Sequence, residues 1–252
     1  MKFIKSFAII CVLVLSLFLV GCQEPGPGPG PDGPSGKDKT IEEVKTDVLN
    51  VFNTYGNADN GSFKLIVKKG TEESTVDMTF NYEGGKIGII SLKTILTNKN
   101  GTMSVYVTEG NAYTDRYGAS KNIIKMEGTQ AEKIASEYNF NQFNEYLILL
   151  LNNSFFANAT LDKVEGNVAK VSLNIGSYNI DNEEESEALT TIFDGIKESN
   201  SVNLEVTYSD TTVTNIKVLV DRDVQSTIEL QLLGTSDSEV EIQFPDFSEY
   251  KK

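Results

Sequence analysis

Most of the chain after residue 60 reads in twos. In residues 75–82, Val76, Met78, Phe80 and Tyr82 fall on one side, and Thr75, Asp77, Thr79 and Asn81 on the other. That is the period of a strand with one buried face. Residues 63–69, 86–97, 103–108 and 112–117 repeat the pattern, more loosely in 86–97. Gly84-Gly85, Asn100-Gly101 and Gly110-Asn111 separate them as turns. The pattern predicts an antiparallel meander of about five strands, with residues 122–126 as a sixth. Residues 161–165 and 168–175 pair across Gly166-Asn167, with Ala169, Val171, Leu173 and Ile175 on one face. Four more strands are predicted at residues 202–208, 212–221, 226–233 and 239–244.

Three stretches read in threes and fours instead. Thr40-Ile41-Glu42-Glu43 fits a capping box with Thr40 as N-cap. Ile41, Val44, Val48, Phe52 and Tyr55 follow at helical spacing, and Gly56 suits the stop. Thr129-Gln130-Ala131-Glu132 is a second capping-box match, leading to Ile134 and Tyr138 and then to Phe140, Phe143, Leu147, Leu150 and Leu151. Residues 146–151 are apolar on every side of a helix, so that helix is buried or meets something apolar. A third helix is expected from Asp181. Glu183, Glu184 and Glu185 lie in its first turn, where the dipole favours anions, and its stripe is Leu189, Ile192, Phe193 and Ile196.

Strands of this kind, in meanders between helices, suit an α+β fold. The expectation is one large curved antiparallel β-sheet, a half-barrel, with about three helices on its concave face. Two smaller α+β domains split near residues 152–159 are the runner-up, because both halves run helix and then meander. A solute-binding protein of two α/β lobes is disfavoured by the scarcity of strand–helix alternation.

The N-terminus carries an address. Lys2 and Lys5 precede an apolar run over residues 7–20, interrupted only by Ser16 and ending Leu19-Val20-Gly21-Cys22. A basic start, a short apolar run and small residues before a cut describe a secretory signal, and the run is short of the ~20 residues that a membrane span needs. Residues 25–36 hold five of the six prolines, with glycine between them, and contain nothing to bury. They form a spacer that reaches roughly 35 Å at about 3.1 Å per residue. The chain thus divides into a signal at 1–21, a linker at 22–39 and a domain at 40–252.

The Leu-Val-Gly-Cys ending resembles the lipobox of bacterial lipoproteins. The resemblance implies that Cys22 becomes the first mature residue, carries lipid on its sulfur and holds the protein at the extracytoplasmic face of the cell membrane. The order helix, strands, helical insertion, strands over residues 40–245 resembles the LolA, LolB and LppX/LprG-like half-barrel lipoprotein carriers. That resemblance implies a lipid or other apolar ligand held between sheet and helices.

Composition removes several chemistries. The 252 residues contain no histidine, no tryptophan and two cysteines, Cys11 in the signal and Cys22. A mature domain therefore has no disulfide, thiol nucleophile, imidazole metal site or histidine-based triad. Losing Lys2 and Lys5 takes the formal charge from −14 to −16. This balance argues against nucleic acid as a partner and leaves the lipid on Cys22 to hold the membrane. No phosphate loop or nucleophile elbow is present, and no motif asks for a cofactor. The acidic run at Glu183–Glu185 lacks the spacing of a calcium loop. A non-catalytic protein is expected.

Phe140, Phe143, Leu147, Leu150 and Leu151 are the candidate ligand-lining residues, on a helix that covers an apolar cavity. The competing reading is a helix that fills the core, in a structural or interaction lipoprotein working through its outer surface. Tyr113 and Tyr117, with Arg116 between them, read as strand residues with their rings on the core and their hydroxyls in water.

Overall fold

The computed structural model describes residues 39–84, 88–118, 120–140, 159–165, 167–173, 201–221 and 225–251. The signal, Cys22, the spacer, the acidic run at 183–185 and the helix expected from Asp181 lie outside these residues.

Helix α1 (Ile41–Asn57) starts as its sequence dictates. Glu43 N–H donates to Thr40 Oγ1 at 3.3 Å, and Thr40 N–H donates to Glu43 Oε2 at 2.6 Å. The backbone hydrogen bond from Thr40 holds the Glu43 carboxyl below its ordinary range. Val44, Val48, Phe52 and Tyr55 form its buried stripe. Gly56 is not the stop that was expected. The helix runs through it to Asn57, and Ala58 leaves in an extended conformation with its N–H on Thr54 O at 2.9 Å.

Six strands follow: β1 (Asn60–Lys69), β2 (Glu72–Glu83), β3 (Gly88–Asn98), β4 (Gly101–Thr108), β5 (Asn111–Arg116) and β6 (Lys121–Lys125). Helix α2 (Thr129–Glu137) comes next, and then β7 (Ala159–Glu165), β8 (Val168–Leu173), β9 (Ser201–Ser209), β10 (Thr212–Asp221) and β11 (Ser226–Ser236). All pairings are antiparallel, in the single order β6-β5-β4-β3-β2-β1-β11-β10-β9-β8-β7. The first and last meanders join through β1 and β11, and the sheet is open, with β6 and β7 at its edges. The β4–β5 turn has positive φ at both Glu109 and Gly110, the primed geometry that matches strand twist.

The described residues contain two helices rather than about three. The second capping box does not form either. The N-cap of α2 is Gly128, at φ 51°, and Thr129 is already helical, with no side-chain cap bond. Glycine tolerates that left-handed conformation, so the chain turns one residue before the threonine.

The inner face carries the core. Phe63, Met78, Phe80, Leu92, Val107, Ala112, Leu204, Ile216 and Leu230 are buried there, and α1 lies over them in contact with β7 and β10. Helix α2 packs on β3, and the Tyr82 hydroxyl donates to the Tyr138 carbonyl.

The strand expected at residues 239–244 is absent. The alternation of Val240, Ile242 and Phe244 is real, but the segment runs extended across the outer face of β2–β6 without a ladder. The Asn81 side chain replaces the missing strand partner: it accepts from Val240 N–H at 2.7 Å and donates to Val240 O at 2.9 Å. Further on, Phe247 stacks on Tyr113 at 3.7 Å between centroids, and Tyr250 meets the same ring edge-on. The last contact is a parallel bridge on the β6 edge, with Ile123 N–H on Lys251 O at 2.8 Å. Tyr113 therefore faces this C-terminal strap and not the core.

Candidate functional site

Phe140 is the one candidate ligand-lining residue among the described residues, and it is fully buried. Its ring lies 5.9 Å from Phe52, 4.9 Å from Tyr55 and 5.1 Å from Phe63, edge-on to the last. It closes the space between α1 and β1 rather than lining an opening. Phe143, Leu147, Leu150 and Leu151 lie outside the described residues.

The open space is elsewhere, where two neighbouring strands part. Strands β10 and β11 pair from Val220 with Ser226 to Asn215 with Gln231 and no further, although β10 starts at Thr212 and β11 continues to Ser236. Each strand has an extra residue just beyond the last pair. On β10, Val213 opposes Tyr208 and Asn215 opposes Thr207, so Thr214 is the bulge. On β11, Gly234 opposes Ser62 and Leu232 opposes Phe63, so Leu233 is the bulge. A bulge bends its strand and re-aims a side chain. Two bulges side by side open a notch in the middle of the sheet.

Gly234 explains how β11 turns there. Its φ of +118° is strained for any side chain. Across the pair, a Cβ on Gly61 would stand 2.9 Å from Gly234 O and 3.1 Å from the Phe80 ring, so β1 also needs glycine at this approach. Tyr55 fastens the bulge to α1. Its hydroxyl accepts from Gly234 N–H at 2.7 Å and donates to Ser62 O at 3.2 Å. Burial pushes the Tyr55 phenol up from its ordinary value, which keeps it a donor.

The result is an open groove of about 500 Å³ between α1 and the parted ends of β10 and β11. Val51, Val213, Leu232 and Leu233 supply apolar lining, and Leu233 is 64% exposed. Thr54, Thr212, Thr214 and Thr235 supply hydroxyls. A second groove of about 480 Å³ continues past Thr54 and Thr235 to Asp59, Asn60 and Asp237. At the other end Asp47 pairs with Lys39 at 2.5 Å, and the Lys39 ammonium sits 4.5 Å over the Tyr208 ring. Burial, then the neighbouring Asp47 charge, push the Tyr208 phenol well up.

Sequence reasoning missed this groove. Its lining is threonines and leucines of ordinary strands, and the only signal was Leu232-Leu233-Gly234, a glycine at a strand's end. Among the described residues no group of acidic, histidine or cysteine side chains is arranged to hold a metal ion, and no helix is long and apolar enough to cross a membrane.

No protein-family model matches this chain, and no curated protein matches it. Among solved structures it is similar to MucB, at 12% identity and a TM-score of 0.33, over 82% of this chain and 64% of that one. It is also similar to a LolA-superfamily protein from Nitrosomonas europaea, at 6% identity and a TM-score of 0.21, over 78% of this chain and 93% of that one. A putative outer membrane lipoprotein-sorting protein domain from Vibrio parahaemolyticus has 10% identity and a TM-score of 0.24, over 82% and 95% of the two chains. The chain spans less than two thirds of the length of MucB.

Proposed function

We propose that this protein is a lipid-anchored, extracytoplasmic, non-catalytic binding protein that holds an apolar or amphipathic molecule in the groove between α1 and the parted strands. The groove carries the reading. Its volume of about 500 Å³ falls within the roughly 300–1,000 Å³ of small-molecule sites, and it combines apolar lining with a few hydroxyls. Leu19-Val20-Gly21-Cys22 and the proline–glycine spacer support the anchor.

Native mass spectrometry of the full chain, with uptake of a neutral fluorescent lipophilic probe, tests the binding. Thr54 is exposed on α1 and borders both grooves. Thr54→Trp fills the space without touching the core, so it should abolish uptake and leave thermal unfolding unchanged. An unaltered uptake sinks the groove. For the anchor, Cys22→Ser should release the protein from the membrane fraction or leave the signal uncut; unchanged processing and retention defeats it.

The packing of Phe140 favours a second reading, an interaction lipoprotein with a filled core. A protein that carries no ligand and takes up no probe supports that one.

A further inference from the structure

The C-terminal strap is tied to one half of the sheet and rests on the other. It leaves β11, in the last meander. Its hydrogen bonds, ion pair and ring contacts with the rest of the domain fall on β2, β4, β5 and β6, whose outer face is its cradle. The cradle reads an address with two ends. Asn81 holds the Val240 backbone at one. At the other, Lys121 Nζ lies 2.7 Å from Glu249 Oε2 and 5.7 Å from the centre of the Tyr250 ring, and Lys251 N–H donates to Lys121 O at 2.9 Å. Between them Tyr106 and Tyr113 receive the rings of Phe244 and Phe247.

The connector that delivers the strap is short. Ser236 pairs with Asn60, and Asn60 with Asn81, so the three share one row across β11, β1 and β2. Going from Ser236 to the Asn81 side chain means crossing two strand spacings, roughly 10 Å. Asp237, Ser238 and Glu239 make that crossing, and a fully extended chain from Ser236 to Val240 reaches only about 13 Å. All three are exposed, and their hydrogen bond, Ser238 N–H to Ser236 Oγ at 3.0 Å, stays within the connector. Little slack remains, and opening the connector breaks no ladder pair.

A short connector without slack invites exchange of the element it carries between copies. A second copy offers every strap contact unchanged, because cradle and strap are the same residues there. Only the connector differs: it runs on to the other molecule instead of turning back. Two-fold symmetry then closes the pair, each strap lying on the other copy's cradle. We infer that the cradle on β2–β6 is an interaction surface for the strap of a second copy, and that the protein forms a strap-exchanged dimer.

The test uses the full chain, with equal parts of isotope-labelled and unlabelled protein mixed and concentrated towards the millimolar range that a short tether supplies in one molecule. A zero-length carbodiimide joins Lys121 to Glu249, which are already in contact. In the dimer fraction about half of these links should join unlike isotopes, the random share for two copies. Deleting Asp237 and Ser238 leaves a reach of about 7 Å, too short for the chain's own cradle. That variant should be dimeric even when dilute, with the thermal stability of the parent. Inserting Gly-Ser-Gly-Ser after Ser238 supplies slack, and should leave a monomer whose links all join like isotopes.

A parent dimer with only like-isotope links, or a parent that stays monomeric throughout, overturns the exchange. A shortened variant that folds as a monomer with its tyrosines bared does the same. Undiminished mixed links in the lengthened variant would mean that the connector does not drive the exchange, and the inference fails. Should the shortened variant not fold, the isotope count on the parent still decides.

Discussion

On the outer face of β8–β11 the side chains are charged and wet, whereas the same face of β2–β6 is covered. In the first region Lys170, Glu205, Lys217 and Glu229 stand opposite one another across β8, β9, β10 and β11. Glu205 lies 3.7 Å from both Lys170 and Lys217. In the second, Tyr106, Tyr113 and Ile123 form the corresponding row across β4, β5 and β6, and the C-terminal strap lies on it. Strand β4 is in consequence buried on both faces: Ser104, Val105, Tyr106 and Val107 are all buried.

The difference follows from what each row can do in water. Alternating charges satisfy themselves and the solvent, so an antiparallel sheet leaves that face open. Two tyrosines and an isoleucine in a row cannot, and the chain returns to cover them. Both edges are guarded in kind. The β6 edge receives Lys251 from the strap, while the β7 edge carries a bulge at Asp162 and a lysine, Lys163, beside it.

Removing the strap is the strongest way to break the contrast. Deleting residues 239–252 strips Phe244, Phe247 and Tyr250 from Tyr106 and Tyr113 and opens the β6 edge. The aromatic burial and ring contacts suggest a loss of about 4 kcal/mol, or roughly 10 °C in Tm. Thermal unfolding checks this, and hydrogen exchange should rise in β4–β6 and stay level in β8–β10. A shift below about 2 °C means that the strap merely lies on the sheet.

Asn81→Ala is the narrower cut. It removes both hydrogen bonds to Val240 and the one to Ser91 Oγ at 2.7 Å, and leaves the tyrosines in place. A cost of about 2 kcal/mol is expected, and Asn81→Asp should recover little of it, since a carboxylate cannot donate to Val240 O.

This residue also shows where the sequence was legible and where it was not. Asn81 was assigned to the outer face by its period-2 neighbours, correctly, as were Met78, Phe80 and Tyr82 to the inner one. Eleven strands were placed by their residue pattern within a few residues, because alternation reports a buried face directly. Val240, Ile242 and Phe244 alternate just as well, but period 2 describes any extended segment on an apolar surface. It cannot say whether the partner is a ladder or one carboxamide. The groove was illegible for a related reason. It arises from pairing that stops at Asn215 and Gln231, and the extra residues Thr214 and Leu233 look like any others in their strands. Phe140 was recognised as apolar and interior, but its spacing could not tell a cavity wall from a plug.

Acid should loosen the strap selectively. The Glu249 carboxyl is held below its ordinary range by the hydrogen bond from Lys121, and the Asp246 carboxyl by the Ser248 backbone N–H. A depressed carboxyl stabilises the folded state above its unfolded pKa and loses that contribution as pH falls through the folded one. Protease sensitivity of residues 244–250 should therefore rise as pH drops below about 4, the unfolded carboxylate range. Glu249→Gln should flatten part of that rise. Strands β8–β10 should show no matching change at their backbone.

The smallest effect belongs to the charge ladder, and its salt dependence sharpens the comparison most. Glu205→Gln removes the central carboxylate between Lys170 and Lys217, at 3.7 Å from each. The contacts are long and partly exposed, so the loss should be about 0.5 kcal/mol in dilute buffer. At about 1 M salt the screening length falls to roughly 3 Å, and the variant and parent should then unfold together. The Asn81→Ala deficit should survive the same salt, because it comes from hydrogen bonds to the strap backbone and the packing they hold, not from charge at a distance. Denaturant titrations of both variants at low and high salt separate the two regions. A Glu205→Gln deficit that persists in salt would make the ladder a packed element like the strap. An Asn81→Ala deficit that vanishes would make the strap an electrostatic one, held by Lys121 and Glu249 rather than by its aromatic rings.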